Sequence, residues 1–339
     1  MTEKLEQQTA SPAAPGFGRA YLKRLGHLRA SGLIWVLLIM CVVAALVSEA
    51  FLNPFNIINV LRQIALFGIV SVGMTYVILT AGIDLSVGSI VAVVAVTAAM
   101  LLDAAVPIPL VIIAGLSIGA LIGAVNGLGI TLGGIPPFIM TLGTMVMGRG
   151  LAMTISDGHP IHFRDVADQF SWLGQGHLLG LPVPVWVFAV VAATAAGVLR
   201  FTAFGRNIYA VGSNPEAARL AGIDVRCTVF AVYLVSGFLS GLTALIFISR
   251  LTVGEPVAGV GLELEAIAIT VIGGTSLFGG EGRISGTILG AAIVAVLANI
   301  LNLFGVSPFT QQIVKGAIIV AAVLFEIIRR RSNSTPRRG

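Results

Sequence analysis

The strongest constraint on this chain is a series of long apolar runs with almost no charge inside them. They lie at about residues 32–50, 60–80, 86–103, 108–130, 136–155, 183–200, 226–249, 262–279, 286–304 and 310–328. A helix of about 20 apolar residues crosses the hydrocarbon layer of a bilayer. Turn formers separate most of the runs: Asn53-Pro54, Pro107-Ile108-Pro109, Pro136-Pro137, Pro182-Val183-Pro184, Pro256 and Pro308. Only 10% of the residues are charged and 57% are hydrophobic. A soluble domain carries about 25% charged residues, so the surface of this chain suits lipid. The expectation is an all-α polytopic membrane protein with about ten transmembrane helices.

The first run follows Lys23, Arg24 and Arg29, as the apolar part of a signal peptide would. It lacks a clear small-x-small cleavage site and many spans follow, so it reads as an uncleaved first span. The organisation is then a cytoplasmic tail (1–31), a transmembrane domain (32–328) with a polar loop at 201–225, and a basic cytoplasmic tail (329–339). Basic residues gather in cytoplasmic loops. With the N-terminus inside, all but five of the 20 lysines and arginines fall on the cytoplasmic side. Arg62, Arg164 and Arg250 fall outside, and Arg149 and Lys315 fall within spans. The loop 156–182 is then external and 201–225 internal. The net charge of +5 is accounted for by this distribution, and no nucleic-acid partner is expected. Trp35 and Trp186 near span ends read as interface anchors.

Gly115, Gly119, Gly123 and Gly127 recur every four residues in the fourth span and so share one helix face. They form a smooth ridge for close helix approach; Gly237/Gly241 and Gly286/Gly290 repeat the device. "GIPPF" (134–138) before the fifth span echoes "GVSPF" (305–309) before the tenth. An inverted repeat of spans 2–5 and 7–10 would give that echo, and so would chance.

Within this apolar chain "GSNPEAARLAGIDV" (212–225) builds a short polar helix. Asn214 is a good N-cap and Pro215 suits the first helical position. Glu216 complements the helix dipole, and Gly222 can close the helix in a left-handed conformation. Two turns are marginal alone, so such a helix is either a connector at the membrane surface or a docking part held by a partner.

Four stretches carry a resemblance: "FGRNIYAVGSNPEAARLAGIDV" (204–225), "AGIDLSVGSIVA" (81–92), "GGIPPFIMTLGTMVMGRGLA" (133–152) and "LEAIAITVIGGTSLFGGEGRISGTILGA" (264–291). Over about residues 32–328 the chain resembles permease subunits of ABC importers of the ribose, xylose and arabinose class. The resemblance implies a pair of permeases, identical or not, in the bacterial inner membrane. It further implies two cytoplasmic ATPase subunits, each receiving a coupling helix, and a periplasmic sugar-binding protein. Asn214, Glu216, Ala217, Ala218, Arg219 and Gly222 would form the coupling element. The resemblance does not identify the sugar.

The residues add that this chain does not itself hydrolyse ATP; if ATP drives transport, it does so through another chain. Lys4, Lys23 and Lys315 are followed by Leu, Arg and Gly, so no Gly-Lys-Ser/Thr phosphate loop exists. No cofactor is expected in this chain; ATP and Mg would sit on the ATPase. Cys41 and Cys227 suggest packing, with neither a disulfide framework nor metal spacing.

Candidates for the path or its gates follow, each with a plainer alternative. Asp84 and Ser86 cap the third helix or mark a half-helix end on the path. Arg149 lines the path or binds a neighbouring carbonyl. Lys315 snorkels toward the interface. Glu263 and Glu265 complement the dipole of the eighth span or contact the incoming sugar or the protein that delivers it. Thr275 and Ser276, in "GGTSLFGGEGR" (273–283), hinge at a cytoplasmic gate or form a tight turn. Asp157, His159, His162, Asp165, Asp168 and His177 read as a solvated docking face rather than a metal site. The rival reading is an ion-coupled secondary transporter. Glu49, Asp103 and Glu326 lie at span ends, so no carboxylate is expected deep among the spans.

Overall fold

The computed structural model describes residues 17–164 and 166–334. Residues 1–16, Asp165 and residues 335–339, and with them parts of both expected tails, lie outside the described residues.

Proline and asparagine set the helix starts. α1 (Phe17–Val47) is followed by α2 (Pro54–Leu79), whose N-cap Asn53 accepts a hydrogen bond from the Phe55 amide with Pro54 in the first turn. α3 (Val87–Asp103), α4 (Ile108–Thr131), α5 (Pro137–Ile155) and a short α6 (Ala167–Gln175) come next. α7 (Val183–Phe201) leads to two surface helices, α8 (Ala203–Ser213) and α9 (Pro215–Leu220). α10 (Val225–Leu251), α11 (Leu262–Ile272), α12 (Ile284–Leu303) and α13 (Pro308–Ser334) complete the helices. Two small antiparallel pairs lie between them. β1 (Ile161–His162) pairs with β4 (Val253–Gly254), and β2 (His177–Leu178) with β3 (Leu181–Pro182).

The helices match most of the apolar runs within a few residues, and the protein is a polytopic all-α membrane protein. Two boundaries move outward. α1 begins inside the segment read as a tail, and α13 continues past residue 328. One run is corrected: residues 262–279 are not a continuous span. α11 has only 11 residues, about 16 Å at 1.5 Å per residue, half of what a full crossing needs. The chain leaves helical geometry at Gly273 and turns through Gly274, Gly279 and Gly280, all at positive φ. Among the described residues six helices have the length and apolarity of a full crossing, while Gly32–Val47 and Val87–Asp103 are shorter. The ten runs are therefore not ten equal crossings.

The glycine ridge of α4 faces α10. A Cβ on Gly119 would collide with the Gly237 carbonyl and Gly241, and one on Gly123 with the Tyr233 carbonyl and Gly237. Backbone meets backbone here, which gives dense dispersion contact without relying on a hydrophobic drive between helices. The other face of α4 exposes Leu110, Ile113, Leu121 and Leu128 outward, as a lipid-facing stripe would.

The packing is paired. α10 packs on α4, α3 and α2; α2 packs on α12, α11 and α10. The contacts of α3 with α4, of α3 with α5 and of α4 with α5 have counterparts among α11, α12 and α13. The backbone repeats with them. Ala81 and Thr252, just after α2 and α10, have φ of 60° and 55°; Gly134 and Gly305, in the two echoing turns, have 66° and 69°. These pairings support two repeats, α2–α5 and α10–α13, which extend the five-residue echo into tertiary structure.

Candidate translocation cavity and docking helix

The two repeats enclose a cavity of about 610 Å³, inside the range of about 300–1,000 Å³ usual for small-molecule sites. Asn56, Asn59 and Gln63 reach it from α2, and Thr243, Phe247 and Arg250 from α10. Glu265 enters from α11, Asn299 and Asn302 from α12, Gln311 and Lys315 from α13. Asn56 and Asn299 exchange amide hydrogen bonds of 3.0 and 2.7 Å. Lys315 Nζ donates to Glu265 Oε1 at 2.7 Å. This replaces the snorkelling expected of Lys315: the ammonium turns inward because a carboxylate one helix away offers a charge-assisted bond. Among the described residues the side chains of Asn59, Gln63, Asn302 and Arg250 have no hydrogen-bond partner. Free amides and a guanidinium, with Phe67 and Phe247 beside them, suit a small neutral molecule rich in hydroxyls. Amides both donate and accept, as hydroxyls do.

Of the expected path residues, only Glu265 lines this cavity. Asp84 and Ser86 lie in a buried polar network. Asp84 Oδ1 accepts from the Ser86 amide and hydroxyl at 3.0 and 2.6 Å, and Oδ2 from Ser236 Oγ at 2.8 Å. Asn126 Nδ2 donates to Ser86 Oγ at 2.8 Å, and Thr144 Oγ1 to Asn126 Oδ1 at 2.6 Å. Ser86 occupies the N-cap position of α3, but its hydroxyl turns back to Asp84 and makes no cap bond. The expectation that no carboxylate lies deep among the helices is corrected: Asp84 is fully buried. The segment 80–86 folds back into the bundle instead of crossing its surface, which hydropathy does not report.

Residues 252–261 fold inward in the matching way. Gly254 lies against Ala95 and Ala99, and Gly259 against Gly88 and Val91. They therefore run along α3 from near its end to its start. Arg149 holds this segment, with Nη1 donating to the carbonyls of Pro256 and Ala258, both at 2.8 Å. Of the two roles open to Arg149, the guanidinium is engaged in the carbonyl-binding one. Glu263 stands in the first turn of α11, with its carboxylate beside Gly88. Thr275 and Ser276 lie in a closed turn in which the Ser276 amide donates to the Glu281 carbonyl at 2.8 Å and the Phe278 amide to Ser276 Oγ at 3.3 Å. Thr275 Oγ1 is buried, without a hydrogen-bond partner among the described residues.

The two ends of the bundle differ in structure. Loop 156–182 closes over the start of α2 and the end of α10. Arg62 Nη2 donates to the Gln175 carbonyl at 3.0 Å, and Gln175 Nε2 to the Arg250 carbonyl at 2.9 Å. Trp186 donates its indole N–H to the Leu178 carbonyl at 2.9 Å. The opposite ends of α2 and α10 carry α8 and α9. There Asn214 Oδ1 accepts from the amides of Glu216 and Ala217, both at 3.0 Å, as the sequence suggests. Gly222 closes α9 at φ 82°, with its amide donating to the Arg219 carbonyl and that of Ile223 to the Ala218 carbonyl. Glu216 and Arg219 pair at 2.5 Å on the surface. Ala218 seats the helix; Ala217 faces out, and Leu220 is 87% exposed. Leu220 was not singled out from the sequence, where it reads as one more leucine among many. Tyr209 on α8 donates to the Gly282 carbonyl at 2.9 Å. Burial raises its phenol above the usual value, with Arg283 opposing, so it remains a donor near neutral pH.

The cavity amides were also missed, although a signal was there. Asn56, Asn59 and Gln63 stand at i, i+3 and i+7, one face of a helix, and Asn299 and Asn302 repeat the i, i+3 spacing.

A polytopic bundle of two packed repeats, with a polar cavity between them, is the body of a membrane permease. Residues 56–323 match the family described as "Branched-chain amino acid transport system / permease component", and the chain belongs to that family. It is 46% identical over 290 residues to the ribose import permease protein of Haemophilus influenzae, covering 85% of this chain and 90% of that one. It is 43% identical over 311 residues to the ribose import permease protein of Escherichia coli (91% and 97% covered). It is 36% identical over 335 residues to the L-arabinose ABC transporter permease protein of Azospirillum brasilense (97% and 98% covered). No solved structure matches the chain.

Proposed function

We propose that this permease forms the membrane path of an ATP-binding-cassette importer for a monosaccharide or similar small polyol. The observation that carries the substrate class is the cavity of free amides between the two repeats; the relatives' names, given for ribose and L-arabinose, agree with it. The basic residues favour the α8–α9 end as cytoplasmic and the cavity end as periplasmic, in a bacterial inner membrane. On this reading α9, with Asn214, Glu216, Ala217, Ala218, Arg219 and Gly222, docks in a groove of a separate ATPase, which binds ATP and Mg. A periplasmic binding protein delivers the sugar. A second permease subunit completes the assembly. The permease makes and breaks no covalent bond; it converts closure of the ATPase into alternating access. Asp84, though buried, has both carboxylate oxygens held by serine donors, which favours a structural role over the ion site of the ion-coupled rival.

The test is uptake in proteoliposomes holding the permease, its ATPase and the binding protein. Sugar uptake is expected with ATP and only with both partners, and to fall when Asn59 and Asn302 are both replaced by Leu while the ATPase still co-purifies. Uptake driven by a proton or sodium gradient without ATPase would overturn the reading.

A further inference from the structure

We propose that Tyr209 is the positioning residue that links the docking helix to α12, and that α12 is the lever which works the cavity. The inference rests on the importer reading above and names a device within it.

The route is continuous in the structure. α9 joins α8 directly at Asn214, whose amide donates to the Ala210 carbonyl. α8 is seated in the bundle by the fully buried Ile208 and by Val211 and Gly212. At Gly212 a Cβ would collide with the Leu79 carbonyl and the Gly280 amide. Gly280 N in turn donates to that same Leu79 carbonyl at 3.0 Å. The end of α2, the end of α8 and the loop 273–283 thus meet backbone to backbone, with no side chain between them to absorb a displacement. Packed contacts of this kind transmit small shifts.

Most of that junction is passive contact. The bond from Tyr209 Oη to the Gly282 carbonyl is directional: it links α8 to the loop residue just before the N-cap of α12. Ile284 in the first turn of α12 is buried in one cluster with Ile208 and Leu79. From there α12 runs 20 residues, about 30 Å, and ends at Asn299 and Asn302 in the cavity. Two polar contacts hold α12 to α2 along its length, Thr287 Oγ1 to Thr75 Oγ1 at 2.7 Å and the Asn299–Asn56 amide pair. A rocking of α12 against α2 would exchange these contacts and alter the cavity at its far end. The loop at the base of α12 turns through glycines at positive φ, and the buried Thr275 hydroxyl in it has no hydrogen-bond partner among the described residues.

Tyr209→Phe keeps the ring and removes the bond. In the complete assembly, with ATPase and binding protein, co-purification of the ATPase, thermal stability and ATP hydrolysis are expected to stay as in the wild type. Sugar taken up per ATP hydrolysed is expected to fall about fivefold, the weight of one ordinary hydrogen bond. A second reading uses spin labels at Ser213→Cys and Asn302→Cys in a background without Cys41 and Cys227. The distance between them should change with ATP in the wild-type context and change less with Tyr209→Phe, which a merely structural phenol would not produce. An unaltered sugar-to-ATP ratio together with an unaltered distance change overturns the inference and leaves the importer reading intact. A wild-type assembly that takes up no sugar with ATP overturns both.

Discussion

Asn214→Ala isolates the contribution of one cap to the proposed contact with the ATPase. α9 is six residues long, far below the length at which a helix is stable alone. Three features hold it: the buried Ala218, the closure at Gly222, and two amide bonds of 3.0 Å to Asn214 Oδ1. Alanine removes both bonds and leaves two first-turn donors to water. An N-cap replaced by alanine typically loses about 1 kcal/mol, within a range of roughly 0.5–2. That shifts the balance between ordered and frayed α9 by about fivefold at 25 °C. A docking surface that is ordered a smaller fraction of the time binds more weakly in proportion. The expected result is an apparent affinity for the ATPase up to about fivefold weaker, measured by titrating the ATPase onto permease in nanodiscs. Asn214→Asp keeps the acceptor and places negative charge at the helix N-terminus, where the dipole favours it, and should bind as the wild type does. Wild-type affinity in Asn214→Ala, or an aspartate variant as weak as the alanine one, would refute the capping argument.

Three further outcomes are expected. Ala217→Arg should abolish ATPase co-purification and stimulated ATP hydrolysis while the helices still insert, because Ala217 faces out of α9 beside Leu220; normal recovery would make the helix a mere surface connector. Lys315→Met should destabilise the protein by about 1–3 kcal/mol, between the values for exposed and buried pairs, since it strands a Glu265 side chain that is only 11% exposed. Adding Glu265→Gln should restore most of that loss, and additive melting-temperature losses in the double variant would count against the pair. Single cysteines at Gln175 and Ser213, with Cys41 and Cys227 removed, should react with an impermeant reagent from outside and only after permeabilisation, respectively; outside labelling of Ser213 in sealed cells would reverse the topology.

The sequence by itself determined the solvent and the elements. Scarce charge and long apolar runs require a membrane, and prolines with Asn53 and Asn214 mark where helices begin, because these signals act over a few residues. The α4 ridge was legible for the same reason: a four-residue spacing fixes a helix face before any partner is known. The short helix α9 was legible down to its cap and its closing glycine, since capping is local chemistry. Tertiary structure decided what depends on the partner across the bundle. Hydropathy averaged 262–279 into one span, whereas the structure turns at Gly273, with Gly286 packed against it. Asp84 read as a cap of the third helix or a half-helix end on the path, and only the tertiary structure shows 80–86 folded back toward Asn126, Thr144 and Ser236. Lys315 found Glu265, 50 residues away in the chain, and Asn56 found Asn299, 243 away. Such pairings depend on how two repeats pack, and a one-dimensional pattern of apolar residues says only that each helix has neighbours, not which polar side chains those neighbours bring.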